Sequence, residues 1–429
     1  MAVKNMCKWR VPLVALSWVQ IAASGGAIFG IASLRAILQD MAEFSSMDLV
    51  GLGTVGVTAG TLSQFVMGIA LDRFGPRLTS FMSLLTAALG MFFLSLSTSA
   101  TLCVYPAVVL IGLGGPGAQV SVIHLSALFP GHSALIVSLQ CAAFQVSFLV
   151  FLVFKHVIGT GVPLSAVAGV FGAFLVILAM SSLLVWPAVS LNQPGAQGSV
   201  KSESTAMRFR IGSGTKAFSG RGTLLSQLYT SSFAALCVFL PVLVFFLNSY
   251  PVIMKEQVMY ALGPMQDVSS VDRALDVGQL ILSLGLFANP IFGMIADRYG
   301  VVVAATVSQV LCIAFSGLIL MSPLNPALLP AAFALYTVAR NCSFSLFFFV
   351  IGFDFGFKFF GTIGGILFLI ASAVFSAHGV LFDAFGRRMQ AWNTMQLAVM
   401  VSLLGFPLYW AQRRAQQARQ RKVISCSDV

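Results

Sequence analysis

The sequence predicts an all-α membrane protein with twelve transmembrane helices in two six-helix halves, and three observations predict it. Hydrophobic residues make up 58% of the chain and charged residues 9%, whereas soluble domains have roughly 45–50% and 25%. Twelve apolar runs are each long enough for a spanning helix of about 20 residues. One charged motif recurs in the second half at a constant offset of 225 residues, which indicates an internal duplication.

The first half contains six apolar runs. A short basic head precedes Val11, and we interpret the run after it as a retained helix because it continues beyond the length of a signal peptide. The six runs lie at about 11–38, 48–70, 78–97, 101–128, 134–157 and 163–188. Residues 1–188 are therefore predicted to form an N-terminal bundle.

A polar segment at 189–222 separates the two halves. Its serines and its five Lys or Arg residues predict a basic cytoplasmic linker. Six further runs lie at about 223–249, 273–296, 301–322, 325–352, 359–382 and 389–411. We expect 223–411 to form a C-terminal bundle and 412–429 to form a basic cytoplasmic tail.

The distribution of charge predicts the orientation. With both termini cytoplasmic, seventeen of the 24 Lys and Arg residues fall in inside segments, as the positive-inside rule requires. The net charge of +11 is thus explained by topology and by the lipid surface, and we predict no nucleic-acid partner. The seven cysteines are scattered, with no Cys-x-x-Cys pair, so we predict neither a disulfide framework nor a metal site, and no cofactor.

The repeated motif has the pattern Gly-x-x-x-Asp-Arg-x-Gly and occurs at 68–75 and again at 293–300. It resembles the loop between the second and third helices of major facilitator superfamily transporters. In that family the acid latches the cytoplasmic side by facing a helix N-terminus or a basic partner across the interface of the halves, and glycine lets the backbones approach. The candidate gating residues are Gly68, Asp72, Arg73, Arg77, Gly293, Asp297 and Arg298.

A solvated turn with ordinary topogenic charges is the alternative explanation of the motif. Two copies at equal offset favour the latch. The second copy departs from the pattern, because Val301 and Val302 replace the basic residues expected downstream. We therefore expect its latch to be weaker.

Arg340 is the candidate for holding an anionic group of a substrate. It lies near the centre of the tenth run, where a charge costs roughly 2.5–3.5 kcal/mol and usually faces a wet cavity or a partner. Its guanidinium fork matches a carboxylate. Helical spacing places Tyr336 and Phe347 on the same face, with Ser343 beside them. The alternative is a structural pair with helix-end carbonyls or with a polar side chain of a neighbouring span.

Neutral polar residues and glycine-interrupted spans supply the other candidate substrate-binding residues, which are Gln119, Gln140, Gly30 and Ser33. Polar groups in the bilayer must be satisfied within the bundle, so hydrogen bonds between helices explain them as well as substrate contact does. Interrupted spans can expose backbone groups to a ligand, or they can only permit close packing or a kink.

Carboxylates are missing from the centre of every predicted span. Because proton-coupled pumps usually keep an Asp, Glu or His relay in the membrane, their absence favours a facilitator, such as a uniporter, over a proton symporter. The sequence has no P-loop and no nucleophile elbow. We therefore predict neither ATP-driven transport nor an enzyme.

Two stretches narrow the resemblance. Residues 56–77 end in Met-Gly-Ile-Ala-Leu-Asp-Arg-Phe-Gly-Pro-Arg, and residues 128–139 precede Phe144 and the run from Phe148 to Lys155. Both resemble the facilitative system-L branch of the superfamily, which carries large neutral amino acids, and its protozoan amino-acid transporter relatives. The resemblance implies an amino-acid substrate moved by alternating access.

Two alternatives remain open. A small carboxylate or another organic anion would suit Arg340 equally well, and a non-transporting receptor or sensor could keep the same fold, since fold alone does not fix function. We expect a monomeric, multi-pass protein of the plasma membrane whose partners are a small solute and the membrane lipids.

Overall fold

The computed structural model describes residues 10–34, 37–38, 46–98, 101–129, 132–188, 223–263, 268–356, 359–385, 388–413 and 415–416. All regular structure in these ranges is helical. The predicted head before residue 10, the linker at 189–222 and the tail from 417 onward lie outside the described residues.

The N-terminal half contains six spans, which we label α1 to α6. They are α1 (Arg10–Ser24, continued by a 3-10 helix, Ala27–Leu34), α2 and α3 (together Ser46–Leu96), α4 (Val104–Val120, with a 3-10 helix, Ile123–Leu128), α5 (Ser133–Val146 and Leu149–Gly159) and α6 (Leu164–Val185).

The C-terminal half repeats the arrangement. Its spans are α7 (Ser231–Val252), α8 (Val268–Leu284, Gly285–Phe287 and Ala288–Tyr299), α9 (Val301–Met321), α10 (Leu329–Asp354), α11 (Phe360–Ser376, with His378–Ala384) and α12 (Met389–Ser402). Two short helices, Leu224–Leu228 and Met254–Leu262, precede and follow α7.

A glycine with positive φ joins the second and third spans of each half. Gly75, with φ 78° and ψ 176°, breaks Ser46–Leu96 into α2 before it and α3 after it. Gly300 has φ 83° and ψ 177° between α8 and α9. Only glycine adopts this region without steric cost. The two halves therefore share this backbone turn as well as the sequence motif around it.

Eleven helices in the described ranges are long and apolar enough to cross a membrane, and one of them, Val50–Leu96, has 47 residues. That length is two spans joined at Gly75, so the twelve predicted spans are confirmed. The outer faces are apolar. On α6, for example, Val170, Ile177 and Leu184 are 74%, 67% and 80% exposed, as expected of a surface that faces lipid.

Helix interruptions in α1 and α5 meet at the centre of the molecule. The backbone N–H of Gly26, between the two parts of α1, donates a hydrogen bond of 2.6 Å to Oγ of Ser147 in the break of α5. A Cβ at Gly30 would overlap the carbonyl oxygen of Phe148. The glycines of α1 therefore allow the two broken backbones to touch, which stacks Phe29 on Phe148 with ring centroids 5.3 Å apart.

Candidate functional site

The guanidinium of Arg340 is buried where the two halves meet. Arg340 is 1% exposed and lies in the middle of α10. Its guanidinium carbon lies 4.4 Å from the ring centroid of Phe29 and 5.4 Å from that of Phe148, both in the N-terminal half. Phe344, one turn along α10, contributes a third ring at 4.7 Å. The cation is thus enclosed by rings from both halves.

A proline in α7 leaves a backbone carbonyl free to accept a hydrogen bond from Arg340. Pro251 has no N–H, so the carbonyl of Leu247, four residues earlier, lacks its usual helical partner. That carbonyl instead accepts a hydrogen bond of 2.6 Å from the Tyr336 hydroxyl and one of 3.4 Å from Nη1 of Arg340. The same Nη1 donates to Oδ1 of Asn248 at 2.6 Å. Asn248 is 2% exposed and was missed by the sequence analysis.

Arg340 has no acidic partner within the described ranges. The ion pair described there joins Lys155 and Asp276 and does not involve Arg340. A charge at the centre of a spanning helix costs roughly 2.5–3.5 kcal/mol. Cation–π contacts contribute about 0.5–2 kcal/mol each, and hydrogen bonds that involve a charged group about 1.5–3 kcal/mol. Three rings and the Asn248 amide can therefore retain the cation, although none of them neutralises its charge.

Only some of the other predicted substrate residues contribute to the contacts around Arg340. Tyr336 shares the Leu247 carbonyl with Arg340, and Gly30 supports the contact between Phe29 and Phe148. Four others make their described contacts elsewhere: Ser343 with Ser308 at 2.9 Å, Phe347 with the ring of Phe368 at 4.7 Å, Gln119 with Sγ of Cys141 at 3.4 Å and Gln140 with the carbonyl of Val122 at 3.1 Å. The hydroxyl of Ser33 is buried and has no hydrogen-bond partner in the described part of the chain.

One signal for Asn248 was present in the sequence. It is a lone amide directly after the apolar run from Leu236 to Leu247, and a polar group at that depth requires a partner. Phe29 and Phe148 gave no such signal, because the chain has 38 phenylalanines and nothing local distinguishes these two.

The acid of the first motif caps a helix of the opposite half. Asp72, near the end of α2, accepts hydrogen bonds from the backbone N–H groups of Gly361 and Thr362 at 3.2 and 2.7 Å, and from the Thr362 hydroxyl at 2.7 Å. These groups form the N-terminus of α11, where unpaired N–H groups and the helix dipole favour a negative charge. A Cβ at Gly68 would overlap the Gly361 carbonyl, so glycine is required for this approach.

The acid of the second motif makes the mirrored contact. Asp297 in α8 accepts hydrogen bonds from the N–H groups of Ala134 and Leu135 at 3.3 and 3.2 Å, at the N-terminus of α5. A Cβ at Gly293 would lie 2.7 Å from Cα of Leu135. The bonds of Asp297 are fewer and longer than those of Asp72. We refer to the end of the bundle that holds both acids as the motif side.

The motif arginines contact residues of their own half. The guanidiniums of Arg73 and Arg298 each lie over the aromatic ring of the next residue, at 5.7 and 5.4 Å. Arg77 donates from Nε to the carbonyl of Trp186 at 2.8 Å, just beyond the end of α6. The latch itself therefore consists of an acid and a helix N-terminus in each copy.

An ion pair joins the halves at the end opposite to the motif side. Nζ of Lys155, in α5, lies 2.6 and 2.8 Å from the two carboxylate oxygens of Asp276, in α8. The side chains are 29% and 33% exposed. Nothing in the sequence predicted this pair. The halves thus have polar contacts at both ends, and at the centre the cation of Arg340 contacts rings of the N-terminal half.

The family is identified by comparison with known proteins. The family model described as Major Facilitator Superfamily matches residues 14–350. The chain belongs to this superfamily. Members of the superfamily are transporters rather than enzymes, and the fold implies a small-molecule substrate in a lipid environment.

Solved transporter structures share the fold over 92–93% of the chain. The human organic anion transporter MFSD10 (TETRAN) superposes with a TM-score of 0.61 at 15% identity, over 93% of this chain and 99% of the other. A variant of the nucleoside transporter NupG gives a TM-score of 0.59 at 14% identity, over 93% and 99%. The transporter FucP, in its outward conformation, gives 0.60 at 15%, over 92% and 98%. At these identities the likeness shows the fold alone.

One curated relative is similar over a shorter stretch. Amino acid transporter 6-1 of Toxoplasma gondii is 32% identical over 107 residues. The stretch covers 25% of this chain and 19% of that protein. The match supports a hypothesis about the substrate and carries no residue roles.

Proposed function

We propose that this protein is a facilitator of amino acids that works by alternating access, with the substrate carboxylate binding to Arg340. The observation that carries the proposal is a guanidinium that is 1% exposed, lies between the two halves and has no ion-pair partner among the described residues. An anionic substrate group would supply the missing charge through strong bidentate hydrogen bonds.

Two observations favour an amino acid. The similarity to the Toxoplasma amino acid transporter is one of them. The other is chemical, since the polar groups nearest Arg340 are the hydroxyl of Tyr336, the carbonyl of Leu247 and the amide of Asn248. Of these, the Tyr336 hydroxyl oxygen, whose proton is donated to Leu247, can receive a hydrogen bond from an ammonium group without competing for the guanidinium as a carboxylate would.

The gating residues fit the same proposal. Asp72 and Asp297 close the motif side, and each must leave its helix N-terminus before that side can open. Because the hydrogen bonds join opposite halves, a rocking motion of one half against the other breaks them together. No chemical step is required, which suits a facilitator.

The alternative substrate is a small carboxylate or another organic anion. Arg340 requires only the anionic group, so it does not by itself demand an amine. The two substrate classes differ in competition assays. An amino-acid site loses competition when the α-amino group of the competitor is removed or acetylated, whereas a carboxylate site does not.

Counterflow into proteoliposomes tests the proposal. Vesicles with purified protein are preloaded with an amino-acid mixture, and uptake of labelled amino acids and small carboxylates is measured for wild type and Arg340→Ala. The matched control is Arg273→Ala, which also removes one cation but whose hydrogen bonds stay within α8.

We expect wild type and Arg273→Ala to accumulate at least one amino acid and Arg340→Ala to lose that uptake. Equal uptake by all three proteins would show that Arg340 is structural. Uptake of carboxylates only would establish the organic-anion alternative. Binding without flux for every panel member would favour the receptor or sensor.

A further inference from the structure

We infer that Asn248 is a place-holder for the substrate: its amide oxygen occupies the position at Arg340 that an anionic oxygen of the substrate takes over. The inference rests on the proposed function and deepens it, because it states what the substrate displaces when it binds. It also assigns a role in substrate selection to a residue of α7.

The chemistry of the two side chains fixes which amide atom faces Arg340. A guanidinium has only donors, so its partner at 2.6 Å must be the oxygen of Asn248 and not the nitrogen. The contact has the length of a charge-assisted hydrogen bond. A carboxylate oxygen in the same position would add a full negative charge, so an anionic substrate group competes favourably with the neutral amide.

The surroundings of the guanidinium leave this edge as the one with hydrogen-bond acceptors. The hydrogen bonds described for Arg340 leave from Nη1 and lead to α7. The rings of Phe29, Phe148 and Phe344 lie over the cation and offer no lone pairs. A substrate carboxylate that pairs with Arg340 bidentately, with one oxygen on Nη1, therefore takes the place of the Asn248 oxygen.

The displaced amide also contacts the other half. Nδ2 of Asn248 lies 3.5 Å from Oγ1 of Thr61 in α2, at the long end of hydrogen-bond distance. Asn248 therefore connects the cation of the C-terminal half with a hydroxyl of the N-terminal half. When the substrate takes the place of the amide oxygen, the amide can rotate and the contact with Thr61 changes. Occupation of Arg340 is thereby linked to a contact between the halves.

Asn248→Asp is the sharpest test, because it builds a permanent anion into the proposed position. The variant carries its own carboxylate against Arg340, and a substrate carboxylate must now compete with a fixed charge. We expect the KM for a carboxylate-bearing substrate to rise by at least about tenfold, which corresponds to the loss of one charge-assisted hydrogen bond. The variant should remain folded, with a melting temperature equal to or above that of wild type, because Arg340 gains a counter-ion.

Asn248→Ala separates a place-holder from an ordinary ligand. A place-holder competes with the substrate, so its removal should leave KM unchanged or lower it. A residue that binds the substrate directly would raise KM in this variant. Thr61→Val is the third arm: it removes the contact between the halves, together with a hydrogen bond to the Val57 carbonyl within α2, and leaves the hydrogen bonds of Arg340 in place. We therefore expect it to change the maximal rate and leave KM close to that of wild type.

The outcomes distinguish this inference from the proposed function. If wild type carries a carboxylate-bearing solute and Asn248→Asp carries it with unchanged KM, the place-holder is wrong and the proposed function stands. The same conclusion follows if Asn248→Ala raises KM as much as Asn248→Asp does. If wild type carries no such solute, the proposed function fails. A lower melting temperature of Asn248→Asp in substrate-free protein then counts against the place-holder independently.

Discussion

A cation that is buried without an anion beside it attracts an anionic ligand. Arg340 has three rings and neutral hydrogen-bond acceptors around it, which lower the cost of burial but leave one unit of charge. Removing a partner from a buried pair typically costs about 3–5 kcal/mol. A protein that retains such a charge between two moving halves therefore favours any small anion that can reach it, and this is the physical basis of the proposed substrate site.

Gly30→Ala is predicted to disturb this site through packing alone. The new methyl group would overlap the carbonyl of Phe148, so the breaks in α1 and α5 would have to separate and Phe29 would shift from Arg340. Overpacking of this kind costs about 1–3 kcal/mol. We expect a lower melting temperature and weaker substrate binding.

The matched control is Gly317→Ala, in the interior of α9. A Cβ at that position meets nothing within 4 Å, and alanine is the better helix former. Its melting temperature should equal or exceed that of wild type. If both substitutions behave alike, the contact between the two breaks is not limiting.

Single residues were predicted from the sequence where their type was unusual for their surroundings. The sequence indicated that Arg340 needs a partner or a polar cavity, because a charge inside an apolar run is costly. The rings of Phe29 and Phe148 could not, because they reach Arg340 from the other half of the chain and no local periodicity encodes that contact. The alternative of a polar partner on a neighbouring span was also sound, since Asn248 provides one.

At the scale of helices, the two motif copies differ in how firmly they cap their partners. Asp72 accepts three hydrogen bonds at 2.7–3.2 Å and Asp297 accepts two at 3.2–3.3 Å. Loss of a helix N-cap costs about 0.5–2 kcal/mol. We therefore predict that Asp72→Ala destabilises the closed motif side more than Asp297→Ala does.

Labelling of Phe359, directly before α11, and of Leu135, each replaced by cysteine, with a membrane-impermeant thiol reagent would measure this difference. Labelling is carried out in a background without the native cysteines, on open membrane fragments. Removal of either acid should speed labelling at the helix that it caps, with the larger change for Asp72. Equal changes would contradict the asymmetry of the two copies.

A second prediction at the scale of helices concerns the ion pair between Lys155 and Asp276. It connects α5 with α8 at the end opposite to the motif side. Because the pair is about one-third exposed, solvent screening limits its contribution to roughly 0.2–1 kcal/mol. Lys155→Glu or Asp276→Lys alone should weaken closure of that end by like-charge repulsion, and the double variant should restore it.

Melting temperature and transport rate measured at low and at high salt would check the pair. The single reversals should be more harmful at low salt, where screening is weak. Arg273→Glu, a reversal elsewhere on α8, serves as the control. Failure of the double variant to recover would mean that the two charges act separately.

Helices were more predictable than contacts between them. The break after Ser24 follows from glycines inside an apolar run, and the turns at Gly75 and Gly300 follow from the charged motif between two runs. The pairing of Lys155 with Asp276 does not, because each residue alone is an ordinary charge at the end of a span, and their proximity depends on how α5 packs against α8.

For the whole molecule, the contacts between the halves lie at three levels. Asp72 and Asp297 bind helix N-termini of the opposite half at the motif side, Lys155 and Asp276 meet at the opposite end, and Arg340 lies between them. Alternating access requires that the two ends open in turn while the centre is retained. The contacts at the two ends therefore mark the places where a crosslink tests the proposed alternating access.

Crosslinking either end should stop transport. In a background with the seven native cysteines replaced, one variant carries cysteines at Asp72 and Thr362 and another at Lys155 and Asp276. A short bifunctional thiol reagent joins each pair. Because each cycle must open both ends, we expect either crosslink to abolish net uptake, and reductive cleavage of a disulfide-containing reagent to restore it. Single-cysteine variants serve as controls, and the reagent should leave the uptake of each of them unchanged. Continued flux with one end joined would mean that the solute does not pass between the halves, and the role of Arg340 in transport would then be excluded together with the alternating-access mechanism.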